Sequence, residues 1–201
     1  MNSGDELYIL SSLVHSEESI AWTRTIHVFG GRRAEREDLT RVIMMIREYK
    51  PDDCALLAQL FYNTVHAVNS KDYTKEQLDV WATGNIDLNE WNRSFLEHTT
   101  LIAMCDNTIV GFADMGRDGY LDRLYVHKDY QGKGIATALI NELERRAKEK
   151  HVVCFETYAS ITARPFFEKL GYTVQTENIV VRGGIPLTNF RMTKAVSDNL
   201  I

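Results

Sequence analysis

From residue 45 onward the apolar positions switch repeatedly between a period of two and a period near 3.6, which predicts alternating strands and helices. Residues 45–49 alternate like a strand. Pro51-Asp52-Asp53 then opens a helix whose Leu57, Leu60, Phe61, Thr64, Val65 and Val68 share one face. Thr74 with Gln77, and Asp87 with Glu90, each fit a capping box ahead of a short helix. The first of these helices carries Leu78 and Trp81, the second Trp91 and Phe95. Strands are predicted at 100–105 and 108–115, joined by the hairpin dipeptide Asp106-Asn107, and at 120–126 after Arg117-Asp118-Gly119. An amphipathic helix spans 132–150, with Ile135, Leu139, Ile140, Leu143 and Ala147 on its apolar face. A strand at 152–157, a short helix at 163–170, and strands at 172–181 and 187–193 around Gly183-Gly184 complete the order β-α-α-α-β-β-β-α-β-α-β-β.

The start of the chain reads differently. Residues 1–30 show no clean period, and the stretch from Gly30 to Asp38 is a charged break. The expected division is an extension over 1–44, a domain over 45–195 and a tail over 196–201, with Met44 or Met45 as an alternative start. With 44% hydrophobic and 25% charged residues among 201, the composition is that of a globular protein. Apolar stretches such as Ile179-Val180-Val181 are strand-sized, so no membrane-spanning helix is predicted, and no export signal is recognisable. Cys54, Cys105 and Cys154 are odd in number and far apart, which suits reduced, mostly buried thiols and a cytoplasmic protein. A net charge of −5 argues against a nucleic-acid partner. No His, Cys or Asp residues recur at ligand spacing, so no metal is expected.

Within this pattern, residues 127–140 (HKDYQGKGIATALI) place glycines at the mouth of a helix. A helix N-terminus carries unpaired N–H groups and about half a positive charge. Gly132 and Gly134 remove the Cβ atoms that would hold a bulky anion away, and Gln131 and Lys133 add donors. The stretch therefore suits a phosphate or pyrophosphate. A plain strand-to-helix turn remains the alternative. No G-x-x-x-x-G-K-[ST] string occurs. A dinucleotide-binding turn would fit Glu156 on the next strand, but Thr137 stands where its third glycine belongs and residues 127–131 separate strand from glycine.

The segment from Leu124 to Ala136 resembles the acetyl-CoA signature [QR]-x-x-G-x-[GA] of the GNAT superfamily of N-acetyltransferases, met by Gln131, Gly134 and Ala136. Residues 160–172, Ser160-Ile161-Thr162-Ala163-Arg164-Pro165-Phe166-Phe167-Glu168-Lys169-Leu170-Gly171-Tyr172, resemble the second signature of that family. Asp72-Tyr73-Thr74 with Gln77 and Trp81 is similar to an uncharacterised bacterial branch. The resemblance implies an α/β GNAT fold: a mixed sheet of six to seven strands flanked by helices and splayed between two central parallel strands.

It also implies roles. Residues Gln131, Gly132, Lys133, Gly134, Ile135, Ala136 and Thr137 would hold the pyrophosphate of acetyl-CoA as co-substrate. Leu124, Tyr125 and Val126 would pair with the pantetheine arm, and the N–H near Val126 would polarise the thioester. Ser160 replaces the usual Asn that contacts pantetheine. The usual tyrosine acid falls at Phe167, which has no proton to give and either packs on the pantetheine sulfur or serves the core.

Candidates for proton transfer are Asp122, placed by two-residue alternation on one face with Leu124 and Val126, and Tyr158, at the end of the next strand. Tyr62, His66, Tyr73 and Trp81 make the helical region aromatic, as an amine-binding pocket or as packing. The expected activity is acetyl transfer to a primary amine, of a small molecule or a peptide, by direct attack in a ternary complex. The alternatives are an acyl-CoA-binding module with little catalysis and a toxin-like enzyme acetylating aminoacyl-tRNA. Family analogy adds a possible homodimer.

Overall fold

In a computed structural model the described residues are 9–10, 24–27 and 43–196. Most of the expected 1–44 extension, and all of the tail after residue 196, lie outside them. The short strand Ile9–Leu10 (β1) pairs antiparallel with Arg24–His27 (β2), which pairs antiparallel with Ile43–Glu48 (β3). Three helices follow: Cys54–Val68 (α1), Lys75–Trp81 (α2) and Leu88–Glu97 (α3). Next come Thr99–Cys105 (β4), Thr108–Met115 (β5), Tyr120–Val126 (β6) and Ile135–Glu149 (α4). Cys154–Ser160 (β7), Arg164–Lys169 (α5), Thr173–Arg182 (β8) and Ile185–Ala195 (β9) complete the chain. From β3 onward the order is the one the periodicity predicts.

Local chemistry sets the boundaries. Thr74 and Gln77 form the expected capping box, and the Asp87 carboxylate accepts from the N–H groups of Asn89 and Glu90. Asp106 and Asn107 have φ of 47° and 62°, the left-handed pair that a tight two-residue hairpin needs. The long helix begins at Ile135, three residues later than the pattern suggests, because Gly132 and Gly134 are left-handed and end the preceding turn. Of the three cysteines, Cys54 and Cys105 are buried as expected but Cys154 is exposed, since it opens β7 at the rim of the sheet.

The strand order is β1-β2-β3-β4-β5-β6-β7-β9-β8, with seven strands from β3 onward. All neighbours are antiparallel except β6 and β7. One face carries α4 and α5 over a core that includes Leu121, Leu139, Leu143, Phe155 and Phe167. The other carries α1, α2 and α3 over Leu57, Phe61, Phe95, Phe112 and their neighbours. No helix among the described residues is long and apolar enough to cross a membrane.

A charged cluster ties α3 to the sheet. Asp114 is fully buried and accepts from His98 Nδ1 at 2.7 Å and from Arg123 Nε and an Arg123 terminal nitrogen, each at 2.9 Å. The guanidinium also donates to Ser94 Oγ and lies 4.3 Å from the Phe95 ring centroid. The hydrogen bond to Asp114 raises the His98 pKa above its ordinary 6.5. A raised histidine value stabilises the fold fully below the unfolded value, and that stability is lost as pH rises through the folded one. Denaturation midpoints in the wild type should therefore fall as pH rises from the ordinary histidine range through the raised His98 value, and this part of the fall should vanish in His98→Gln.

Candidate active site

The site begins where one strand pair stops. β6 and β7 are registered only through Tyr120↔Glu156 and Leu121↔Thr157, although β6 runs on to Val126 and β7 to Ser160. At the parting point the Thr157 hydroxyl donates to the Leu121 carbonyl at 3.0 Å, in place of a strand partner. His127 N–H donates to Val110 O on β5 at 2.8 Å. Alternation along an antiparallel strand therefore turns the main-chain groups of Leu124 and Val126 away from β5 and into the gap. The Val126 carbonyl accepts from Thr64 Oγ1 at 3.2 Å and from Gln131 Nε2 at 2.6 Å.

The N-terminus of α4 opens onto the same gap. Gly132 and Gly134 have φ of +71° and +76°, and a Cβ added at either would meet no atom within 4 Å. Gly134 is the N-cap and has no side chain to cap with, and the first turn holds no acidic residue. The first intrahelical bond is Ala138 N–H to Gly134 O, so the N–H groups of Ile135, Ala136 and Thr137 point ahead of the helix.

These surfaces enclose a cleft of about 450 Å³. Leu124, Tyr125 and Val126 line it from β6, and Gln131, Gly132, Gly134, Ile135, Ala136 and Thr137 from the turn and helix. Ser160 and Phe167 form part of the opposite wall. Lys133 does not line it, contrary to expectation, because its ammonium rests 4.5 Å from the Tyr130 ring centroid. Gln131 lines it but braces the end of β6, its amide nitrogen being committed to Val126. Ser160 Oγ accepts from Ala163 N–H at 3.0 Å, which shapes the entry to α5 and leaves the hydroxyl hydrogen to donate. Phe167 is buried, edge-on to Phe166 and Tyr172 at 5.2 and 5.1 Å.

The alternation argument for Asp122 fails at a β-bulge. Leu121 pairs with Met115 and Arg123 with Asp114, so Asp122 is the extra residue between them. Its carboxylate lies 3.1 Å from Arg123 and within 4.8 Å of His98 and Asp114 on the α3 side of the sheet, so that Asp122 lines both the cleft and a second cavity bounded by Tyr125 and Trp81. Burial holds its pKa above the ordinary 3.8, against the pull of Arg123. Tyr158 lines both cavities and stands edge-on to Tyr120 at 6.2 Å. Burial pushes the Tyr120 hydroxyl up to about 12.

Of the four aromatic-region candidates, two reach the site. Trp81 lines both cavities and Tyr73 the second. The Tyr73 hydroxyl is fully engaged, donating to Thr188 O at 2.7 Å and accepting from Ile161 N–H at 2.9 Å. With Asp72, which accepts from Thr162 Oγ1 at 2.6 Å, and Gln77, which donates to Pro186 O at 2.8 Å, it clasps the start of α2 to the far side of the gap. Tyr62 and His66 line neither cavity. They stack on each other at 4.3 Å, and His66 Nε2 lies 3.0 Å from Ala82 O, which makes both structural.

Sequence reasoning missed Thr64, whose signal was a polar side chain on an apolar helical stripe, and it missed Tyr120 and Arg182, which carried none. His98, Asp114 and Asp122 present ligand atoms within 4.8 Å of one another. The Arg123 guanidinium contacts both carboxylates, at 2.9 and 3.1 Å, and supplies the positive charge there itself.

Residues 69–194 match the family model described as acetyltransferase (GNAT) domain. The chain is 33% identical over 150 residues to the uncharacterized N-acetyltransferase YafP of Escherichia coli, covering 74% of this chain and 94% of that one. Among solved structures, a GCN5-related N-acetyltransferase from Rhodopseudomonas palustris superposes with a TM-score of 0.72 at 34% identity, over 75% of this chain and 94% of the other. PaiA N-acetyltransferase from Thermoplasma acidophilum, solved in complex with coenzyme A, shares the fold with a TM-score of 0.64 at 21% identity, over 76% of this chain and 99% of its own. The parted strands, the uncapped helix and these likenesses agree: the chain belongs to the GNAT family of acetyltransferases.

Proposed function

We propose that the protein transfers an acetyl group from acetyl-CoA to a primary amine by direct attack within a ternary complex, with residues 45–195 carrying the activity. The observation that supports this most is the juxtaposition of an open β6 edge with the uncapped N-terminus of α4 in one cleft. The N–H groups of Ile135, Ala136 and Thr137, approached through the glycine turn, bind the pyrophosphate. The backbone edge of Leu124 to Val126 takes the pantetheine arm as an added strand, and the Val126 N–H faces the thioester carbonyl as its charge develops. Thr64 and Gln131 hold the Val126 peptide in that orientation through its carbonyl.

Asp122 removes the proton of the attacking amine, its raised pKa making it a stronger base than an unperturbed aspartate. Tyr158, on the wall common to both cavities, returns a proton to the departing thiolate. Phe167 packs beside the thioester without taking part in proton transfer. The same cleft without turnover would be an acyl-CoA-binding module, and release of free thiol from acetyl-CoA with an amine panel separates the two readings.

In Gly134→Leu, a side chain enters the space ahead of α4 at a φ that L-residues rarely adopt. Acetyl-CoA affinity, measured by calorimetry, should fall at least about tenfold while the circular dichroism spectrum is retained. Unchanged affinity would remove the cradle. Asp122→Asn should lower kcat by about a hundredfold with little change in KM for acetyl-CoA. The wild-type rate should also fall as pH drops through the raised Asp122 value, a limb that the variant lacks. Phe167→Tyr should leave kcat unchanged or raised; a collapse would show that packing against Phe166 and Tyr172 is what the position serves.

A further inference from the structure

The second cavity, of about 310 Å³, lies between α2, the open ends of β6 and β7, and the β8–β9 hairpin. Its size falls in the range of small-molecule sites, roughly 300–1,000 Å³. Tyr73, Trp81, Tyr120, Tyr125 and Tyr158 give it an aromatic side, and Asp122 and Arg182 are its charged groups. It shares Trp81, Asp122, Tyr125, Tyr158 and Ser160 with the larger cleft, so the two meet at the proposed base.

Arg182 is the one basic side chain among the described residues that lines either cavity. It is the last residue of β8, ahead of the Gly183-Gly184 turn. That turn is docked on α2: an added Cβ at Gly183 would lie 3.3 Å from Val80 Cγ1, and Gln77 Nε2 donates to Pro186 O at 2.8 Å. The backbone that carries Arg182 is thus fixed against the cavity wall. Among the described residues its guanidinium makes no hydrogen bond or ion pair, whereas Arg123 and Arg191 are each bound to a carboxylate. Its charge nonetheless acts on both Asp122 and Tyr125, lowering their pKa values against burial.

An acceptor amine arrives protonated and is drawn to Asp122. If the rest of the acceptor were only apolar, its ammonium would face Asp122 and the Arg182 guanidinium would be left without a counter-charge beside it. A second anion resolves it, and the planar fork of arginine suits a carboxylate. We infer that the acceptor is a small amine that also carries a carboxylate, an amino acid or a close analogue with an apolar or aromatic body, and that Arg182 selects it. The ammonium sits at Asp122, the carboxylate at Arg182 and the body against Trp81 and the tyrosines.

The inference rests on the acetyltransferase reading, and the test separates the two. The full chain, loaded with coenzyme A, is titrated calorimetrically with tryptophan and tryptamine, phenylalanine and phenethylamine, and leucine and isoamylamine. In at least one pair the acid should bind about tenfold or more tightly than its decarboxylated partner. Arg182→Gln should erase that preference and Arg182→Lys keep part of it, with coenzyme A affinity unchanged in both. Decarboxylated amines binding as well as the acids in every pair, no binding by any acid, or a preference that survives Arg182→Gln would overturn the assignment alone. Failure of coenzyme A to bind would remove the acetyltransferase reading and this inference with it.

Discussion

Everything about the site follows from one constraint: a sheet that opens in its middle must still satisfy the backbone groups along the opened edges. A buried peptide group without a partner costs about 1–3 kcal/mol, so a gap between central strands is normally closed. Here it is kept open by substitutes. Thr157 caps the Leu121 carbonyl where β6 and β7 part, and Thr64 and Gln131 share the Val126 carbonyl at the other end. Among the described residues no buried side-chain nitrogen or oxygen is left without a partner. The remaining main-chain groups of Leu124 and Val126 face the gap, where the proposed function places the pantetheine arm.

The gap also has to be held at a fixed width. The Asp114–His98–Arg123 cluster anchors β5 and β6 to α3 beside the bulge at Asp122, and Asp72, Tyr73 and Gln77 tie α2 across to the β7–α5 loop and β9. A buried ion cluster is a weak source of net stability. Its value here is geometric, because it fixes which way the bulged strand presents Asp122, the extra residue of the bulge.

Much of this was readable from the residues alone. The alternation of periods gave the element order from β3 to β9, and the glycines at 132 and 134 marked the helix mouth, since few other arrangements need two left-handed positions there. What periodicity misses is whatever breaks it. The bulge moved Asp122 to the opposite face from the one counted, and Lys133 turned aside onto Tyr130, a contact that spacing does not encode. Tyr62 and His66 look like pocket residues by type, but they are consumed by each other and by Ala82. Arg182 stood in no motif and gains meaning only when the hairpin tip is docked on Val80.

The wall that the two cavities hold in common has a pharmacological consequence. On the assignments proposed above, a single molecule that joins a pantetheine-like thioether to an amino-acid fragment would occupy both chambers at once, each half being presented to its site at an effective concentration of about millimolar.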